Sequence, residues 1–125
     1  AERRTEGLLQ ARARVRLVAP VVTDRIAELA DAGLVAWQRR RFEEADLDGA
    51  WYVVAATDDP ATNKLAADGA EARRTFCLRA DEAWAGSAWT PAAFHTHGST
   101  VAVIGRRDPR RTRELRNRIA AALGD

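Results

Sequence analysis

The sequence predicts an α/β protein: a doubly wound parallel sheet over residues 1–90, then a small α+β extension over residues 91–125. Three observations predict it. Short apolar runs alternate with helix-spaced segments from the first residue to about residue 80. The run Trp51-Tyr52-Val53-Val54-Ala55-Ala56 is apolar on both faces, as a central parallel strand requires. After Ala80 the rhythm changes to a period of two on either side of a turn, and a last helix follows.

Each element has its own local signal. Residues 1–12 read as a helix with Thr5, Leu8 and Leu9 on one face. Val15–Ala19 is a short strand stopped by Pro20. Thr23 or Asp24 caps a helix in which Ile26, Leu29 and Ala30 recur at helical spacing and Gly33 ends the run. Leu34–Gln38 is a second strand. Asp58-Asp59-Pro60 gives a cap and a proline in the first turn of a helix reaching about Arg73, with Ala61, Leu65, Gly69 and Ala72 expected inward. Thr75–Leu78 is a further strand. Trp89–His95 and Thr100–Ile104 read as a hairpin, and Asp108-Pro109 opens a helix with Leu115, Ile119, Ala122 and Leu123 inward.

Composition narrows the function class. The chain has 125 residues, 46% hydrophobic and 30% charged, which is globular rather than disordered. Twenty basic residues face 18 acidic ones, so the balance does not imply nucleic-acid binding. A single cysteine, Cys77, excludes an internal disulfide and fits a reducing cytoplasm; between Phe76 and Leu78 it reads as a small buried hydrophobe. No apolar run is long enough to span a membrane. His95 and His97 flank the hairpin turn, but third and fourth ligands are not evident, so a solvated turn is preferred to a metal site.

In an open parallel sheet, ligands bind beyond the carboxyl ends of the strands. Three such ends carry residues out of keeping with plain packing: Ala19-Pro20-Val21, Thr57-Asp58-Asp59 and Arg79-Ala80-Asp81. A carboxylate at such an edge can accept a proton. A dinucleotide fold also needs a glycine-rich turn between its first strand and first helix, to place backbone amides at the pyrophosphate. The sequence opens on what reads as that helix, without the preceding strand and turn.

Several segments occur together in one register: Ala1-Glu2-Arg3-Arg4, Val18-Ala19-Pro20, Asp46-Leu47-Asp48-Gly49-Ala50-Trp51, Ala55-Ala56-Thr57-Asp58-Asp59, Phe76-Cys77 with Asp81, and Ser87-Ala88-Trp89-Thr90-Pro91. In this combination the chain resembles the N-terminal region of the siroheme synthase family, precorrin-2 dehydrogenase/sirohydrochlorin ferrochelatase. The resemblance implies a truncated Rossmann-like NAD-binding domain over 1–90 and a dimerisation domain over 91–125. It implies NAD-dependent oxidation of precorrin-2 to sirohydrochlorin, followed by insertion of ferrous iron as a substrate, in a cytoplasmic homodimer. Asp81 is then the proton acceptor in both reactions. Pro20 and Val21 match positions lining the cofactor site, and Thr57 and Asp58 stand where a strand tip faces the cofactor.

The chain also departs from the family pattern. Arg12 stands where a glycine usually ends the first helix, and Gly105 stands where a serine is often found near the tetrapyrrole. Arginines at 106, 107, 110, 111 and 113 offer partners for a substrate rich in carboxylates. Trp84 and Trp89 could stack on a macrocycle or pack in an interface. The absent glycine-rich turn favours a second reading, a dimeric nucleotide-sensing module without turnover.

Overall fold

The computed structural model describes residues 1–106 and 108–124, so Arg107 of the second arginine cluster lies outside the described residues. They form two compact units, Ala1–Ala88 and Trp89–Asp125. The first runs α1 (Glu2–Gln10), β1 (Val15–Val18), α2 (Asp24–Asp31), β2 (Val35–Gln38), β3 (Tyr52–Ala55), α3 (Pro60–Ala72) and β4 (Phe76–Arg79). The second runs β5 (Ala92–Thr96), β6 (Ser99–Val103) and α4 (Pro109–Ala122).

Local chemistry sets the helix starts. The Thr23 hydroxyl accepts a hydrogen bond from the Ile26 amide at the head of α2. The Asp59 carboxylate accepts from the Ala61 and Thr62 amides, and Asp108 accepts from the Arg111 amide. Pro60 and Pro109 occupy the first helical turn, where a missing N–H costs nothing. The β5–β6 hairpin turns through His97 and Gly98, with φ of 46° and 74°, the left-handed pair that matches strand twist.

β1 pairs in parallel with β2, and β3 with β4. The alternation of elements leads one to expect a single sheet, but these are two separate two-stranded sheets, because β1 and β3 share no ladder. β3 is therefore not central among the described residues, and it leaves Trp51 93% exposed.

The first unit is held by small side chains. Ala66 and Ala70 of α3 pack on Ala55 of β3 and Cys77 of β4, with Phe42, Val53 and Ala67 around them. Small residues bring the helix close to the strands, and dispersion across that short gap replaces bulk. The expected inward face of α3 is corrected here. Asn63, Ala66, Gly69 and Ala70 are the buried positions, while Ala61, Leu65 and Ala72 are exposed. The alanine-rich segment carries a weak apolar stripe, and a polar residue, Asn63, is drawn inward by hydrogen bonds. Ile26 and Leu29 of α2 are buried as expected. In the second unit no described residue is buried, and Leu115, Ala122 and Leu123, expected inward, are exposed. One hairpin and one helix are too few elements to enclose a core.

Two backbone features have opposite consequences. Arg12, just past α1, has φ of 61°, a left-handed conformation natural to glycine and costly to a residue with a Cβ. Gly86 lies so close to β4 that an added Cβ would stand 2.7 Å from the Cys77 carbonyl oxygen and 2.9 Å from the Arg79 nitrogen. Arg12→Gly should stabilise the fold by about 1 kcal/mol, and Gly86→Ala should destabilise it by about 1–3 kcal/mol. Denaturant midpoints would measure both. A shift of the same sign in the two variants would contradict this account.

Candidate functional site

The strand ends of the first unit carry the residues singled out from sequence. Ala19 continues the β1 ladder by donating its amide to the Gln38 carbonyl at 3.2 Å, and the Trp37 indole donates to the Ala19 carbonyl at 2.9 Å. These bonds fix the tip at which Pro20 and Val21 emerge, both exposed, Val21 by 80%. Arg39 lies over the Trp37 ring, 5.7 Å from its centroid. Arg40 pairs with Asp46 through both terminal nitrogens.

The ends of β3 and β4 meet more closely. Ala80 donates its amide to the Ala55 carbonyl at 3.0 Å, extending the ladder one step beyond β4. Thr57, Asp58 and Asp81 follow directly and are exposed. The Thr62 hydroxyl and the Ala61 amide lower the pKa of Asp59, with a smaller contribution from the Arg41 charge.

Two residues organise this edge that the sequence reading did not assign. The first is Arg79, the last residue of β4, 7% exposed. Its guanidinium donates to both carboxylate oxygens of Asp81, at 3.1 and 2.8 Å, and lies 3.8 Å from Glu82. The second is Asn63 of α3, wholly buried. Its Oδ1 accepts from the Thr57 amide at 3.0 Å and the Thr57 hydroxyl at 2.8 Å, and its Nδ2 donates to the Thr57 carbonyl at 3.0 Å. A signal for Arg79 was available, since residues two apart at a strand end project to one side. Asn63 gave none beyond being an amide in an alanine-rich helix.

The Arg79 hydrogen bonds hold the Asp81 pKa down at about 2, with a further contribution from the Asn63 amide, against partial desolvation that raises it. Asp81 is therefore an ionised carboxylate at any working pH and only a weak base while the pair persists. Pro20 and Val21 share no hydrogen bond or ion pair with this cluster among the described residues. The structure thus brings Thr57 and Asp81 together, while Pro20 and Val21 stand at the tip of the other strand pair.

A cavity of about 490 Å³ lined by Ala67, Glu71, Arg74, Phe76, Gly86 and Ser87 lies at the amino end of β4, away from Asp81. Cys77 is buried, which pushes its thiol pKa up and makes it unreactive. His95 sits in β5 with its Nδ1 2.9 Å from the Thr100 hydroxyl, whereas His97 lies in the turn itself. The two rings therefore do not share a strand face. Among the described residues no three His, Cys, Asp or Glu side chains gather as metal ligands, and no helix is long and apolar enough to cross a membrane. In the second unit, a groove of about 270 Å³ lies beside Gly105, Arg106, Arg111 and Leu115. A Cβ at position 105 would fall 2.1 Å from the Thr112 hydroxyl, so this hydroxyl takes the space that a serine there would need.

Residues 1–92 match the profile of a family described as putative NAD(P)-binding. The chain belongs to that family. It is 36% identical over 124 residues to siroheme synthases of Citrobacter koseri and Escherichia coli, covering 98% of this chain and 27% of each relative. It also superimposes on the solved structure of SirC, precorrin-2 dehydrogenase, with a TM-score of 0.81 and 25% identity, over 97% of this chain and 60% of that one. The fold of this NAD(P)-binding family member is thus Rossmann-like α/β. The chain spans about a quarter of the length of the curated relatives it matches.

The Arg79–Asp81 pair predicts a titration. The Asp81 carboxyl ¹³C resonance should show a midpoint near 2, and Arg79→Met should return it toward the ordinary 3.8. Because the folded-state value is the lower one, the pair's contribution to stability is complete above about pH 4 and fades as pH falls toward 2. A midpoint near 4 in the unaltered chain would show that the pair does not hold in solution.

Proposed function

We propose that this chain is the dinucleotide-binding part of an enzyme that oxidises precorrin-2 to sirohydrochlorin with NAD as hydride acceptor. The observation that carries the reading is Asp81, an ionised carboxylate at the carboxyl end of β4, set beside Thr57 at the tip of β3. The similarity to siroheme synthases and to a precorrin-2 dehydrogenase supports the substrate class.

The residues present fit a dinucleotide along the strand tips. Val21 offers an exposed apolar side chain beside Pro20, suited to the flat face of a ring. Thr57 and Asp58 offer polar groups at the neighbouring tip, and Asn63 keeps the Thr57 backbone fixed by using its N–H and C=O. When bound, the nicotinamide accepts the hydride. Asp81 then takes the accompanying proton from the macrocycle, so that precorrin-2 and NAD⁺ give sirohydrochlorin, NADH and a proton. The finer reading adds ferrous iron as a second substrate, whose entry requires loss of two further pyrrole protons beside the same carboxylate.

The second unit suits the anionic substrate and a second copy of the chain. Residues 89–125 hold seven arginines against three acidic residues, with Arg106, Arg110, Arg111 and Arg113 gathered before and within the first turns of α4. Its apolar side chains, Leu115 and Leu123 among them, lack a cover within the unit. A homodimer formed through this unit accounts for that exposure. In sedimentation equilibrium the chain should run as a dimer, and Leu115→Glu should shift it to monomer; a monomeric unaltered chain would refute the assembly.

The activity itself has a direct test. In the full-length parent polypeptide, NAD reduction should depend on added precorrin-2, and Asp81→Ala should lower the rate by about a hundredfold or more with the fold intact. A full rate in Asp81→Ala would remove Asp81 from the reaction. Absence of heat on titrating this chain with millimolar NAD, while the parent polypeptide binds it, would assign the missing affinity to residues outside this chain.

A further inference from the structure

The tip of the β1–β2 pair carries an arginine that the proposed reaction does not use. β2 ends at Gln38, and the next residue, Arg39, sets its guanidinium over the Trp37 ring, 5.7 Å from the centroid. The ring is itself held: its Nε1–H donates to the carbonyl of Ala19, one residue past β1, at 2.9 Å. Arg39 is thus stacked where both strands end, with its side chain exposed. Its neighbours are committed elsewhere. Arg40 donates to Asp46 through both terminal nitrogens, and the Arg41 charge acts on Asp59. The ion pairs of this segment run from Arg40 to Asp46 and Glu43, and Arg39 has none among the described residues.

With the strand tips as a cofactor edge, β1, which follows the first helix α1, is the strand that meets the adenosine ribose. A site selective for NAD places an acidic side chain at that tip, to accept from the ribose 2′ hydroxyl; a nearby arginine instead accommodates a 2′-phosphate. The run Ala19-Pro20-Val21-Val22 holds no acidic side chain, and Asp24 comes only with the first turn of α2. We propose that Arg39, held by Trp37, forms a subsite for a phosphate on the adenosine 2′ carbon, so that the site takes NADP as well as NAD. This rests on the dinucleotide reading given above and adds to it the chemistry of the adenosine end. A planar guanidinium stacks by its face and directs a fork of N–H groups at a phosphate by its edge, a geometry that a lysine lacks. The hydride step is unchanged, because both dinucleotides carry the same nicotinamide.

The test is a pair of dissociation constants, for NADP and for NAD, measured by isothermal titration of the full-length parent polypeptide. Arg39→Ala should weaken NADP binding about tenfold or more. NAD binding should stay within about twofold, because NAD has no 2′-phosphate for the guanidinium to hold. Arg39→Lys should restore only part of the NADP affinity, since it keeps the charge and loses the planar fork. NADP binding that ignores Arg39→Ala, or an equal loss for both dinucleotides, would overturn the subsite. A polypeptide that binds NAD and refuses NADP would overturn it as well, and would leave the dinucleotide reading standing. Binding of neither would remove that reading and the subsite together. A second readout needs no nicotinamide. In this chain, adenosine 2′-monophosphate should shift the Arg39 Nε–H and Trp37 indole N–H resonances, and adenosine 5′-monophosphate should not. An equal response to the two would reveal a general attraction for anions and overturn the 2′ assignment.

Discussion

The close seating of α3 on β3 and β4 is the constraint on which the first unit depends. Ala66 and Ala70 meet Ala55 and Cys77, so the helix axis lies nearer the strands than larger side chains would permit. That proximity is what lets Asn63, one turn earlier, reach past the end of β3 to the Thr57 backbone. A leucine at position 66 or 70 would lift the helix and break the reach. The loop at Gly86 works in the same direction from the other side. Ser87 and Ala88 donate to the Cys77 carbonyl, and the Ser87 hydroxyl accepts from the Cys77 amide, closing the outer edge of β4.

Much of the fold was legible because it depends on local chemistry. Thr23, Asp59-Pro60 and Asp108-Pro109 start helices by satisfying or omitting amide hydrogens, and this can be read from a few neighbouring residues. The hairpin turn was legible for the same reason. The inward face of α3 was not. Its apolar residues are mostly alanines, whose small transfer energies leave the periodicity weak, so a network of polar contacts turned Asn63 inward and Leu65 out. The separate strand pairs were not legible either, since alternation predicts strands but says nothing of which ones share a ladder.

The candidate site divides along similar lines. Asp81 stood out because a carboxylate at a strand end is unusual for packing, and its placement beside Thr57 follows from β3 and β4 being parallel neighbours. What it pairs with was hidden. Arg79 is buried and the turn at Gly86 lies close against its backbone nitrogen, long-range features that no local pattern reports. The Arg12 backbone shows the converse case. A left-handed residue after α1 is a position where glycine belongs, and the sequence departure is visible in the structure as a φ of 61°.

A carboxylate held near a pKa of 2 is a poor base for a neutral C–H or N–H, and this bears on how the proposed oxidation would run. Loss of hydride from precorrin-2 leaves a cationic macrocycle, and its adjacent protons are far more acidic than those of the starting compound. A weak base suffices for that step, provided it is ionised and in place when the hydride leaves. Arg79 secures the ionisation and restrains the side chain by a bidentate grip. A more basic carboxylate would be partly protonated at its place of work if buried beside apolar ligand, and would then be unable to accept. The same negative charge favours the developing cation electrostatically. In the proposed reaction the ion pair would keep Asp81 ionised, and hydride departure would precede proton removal.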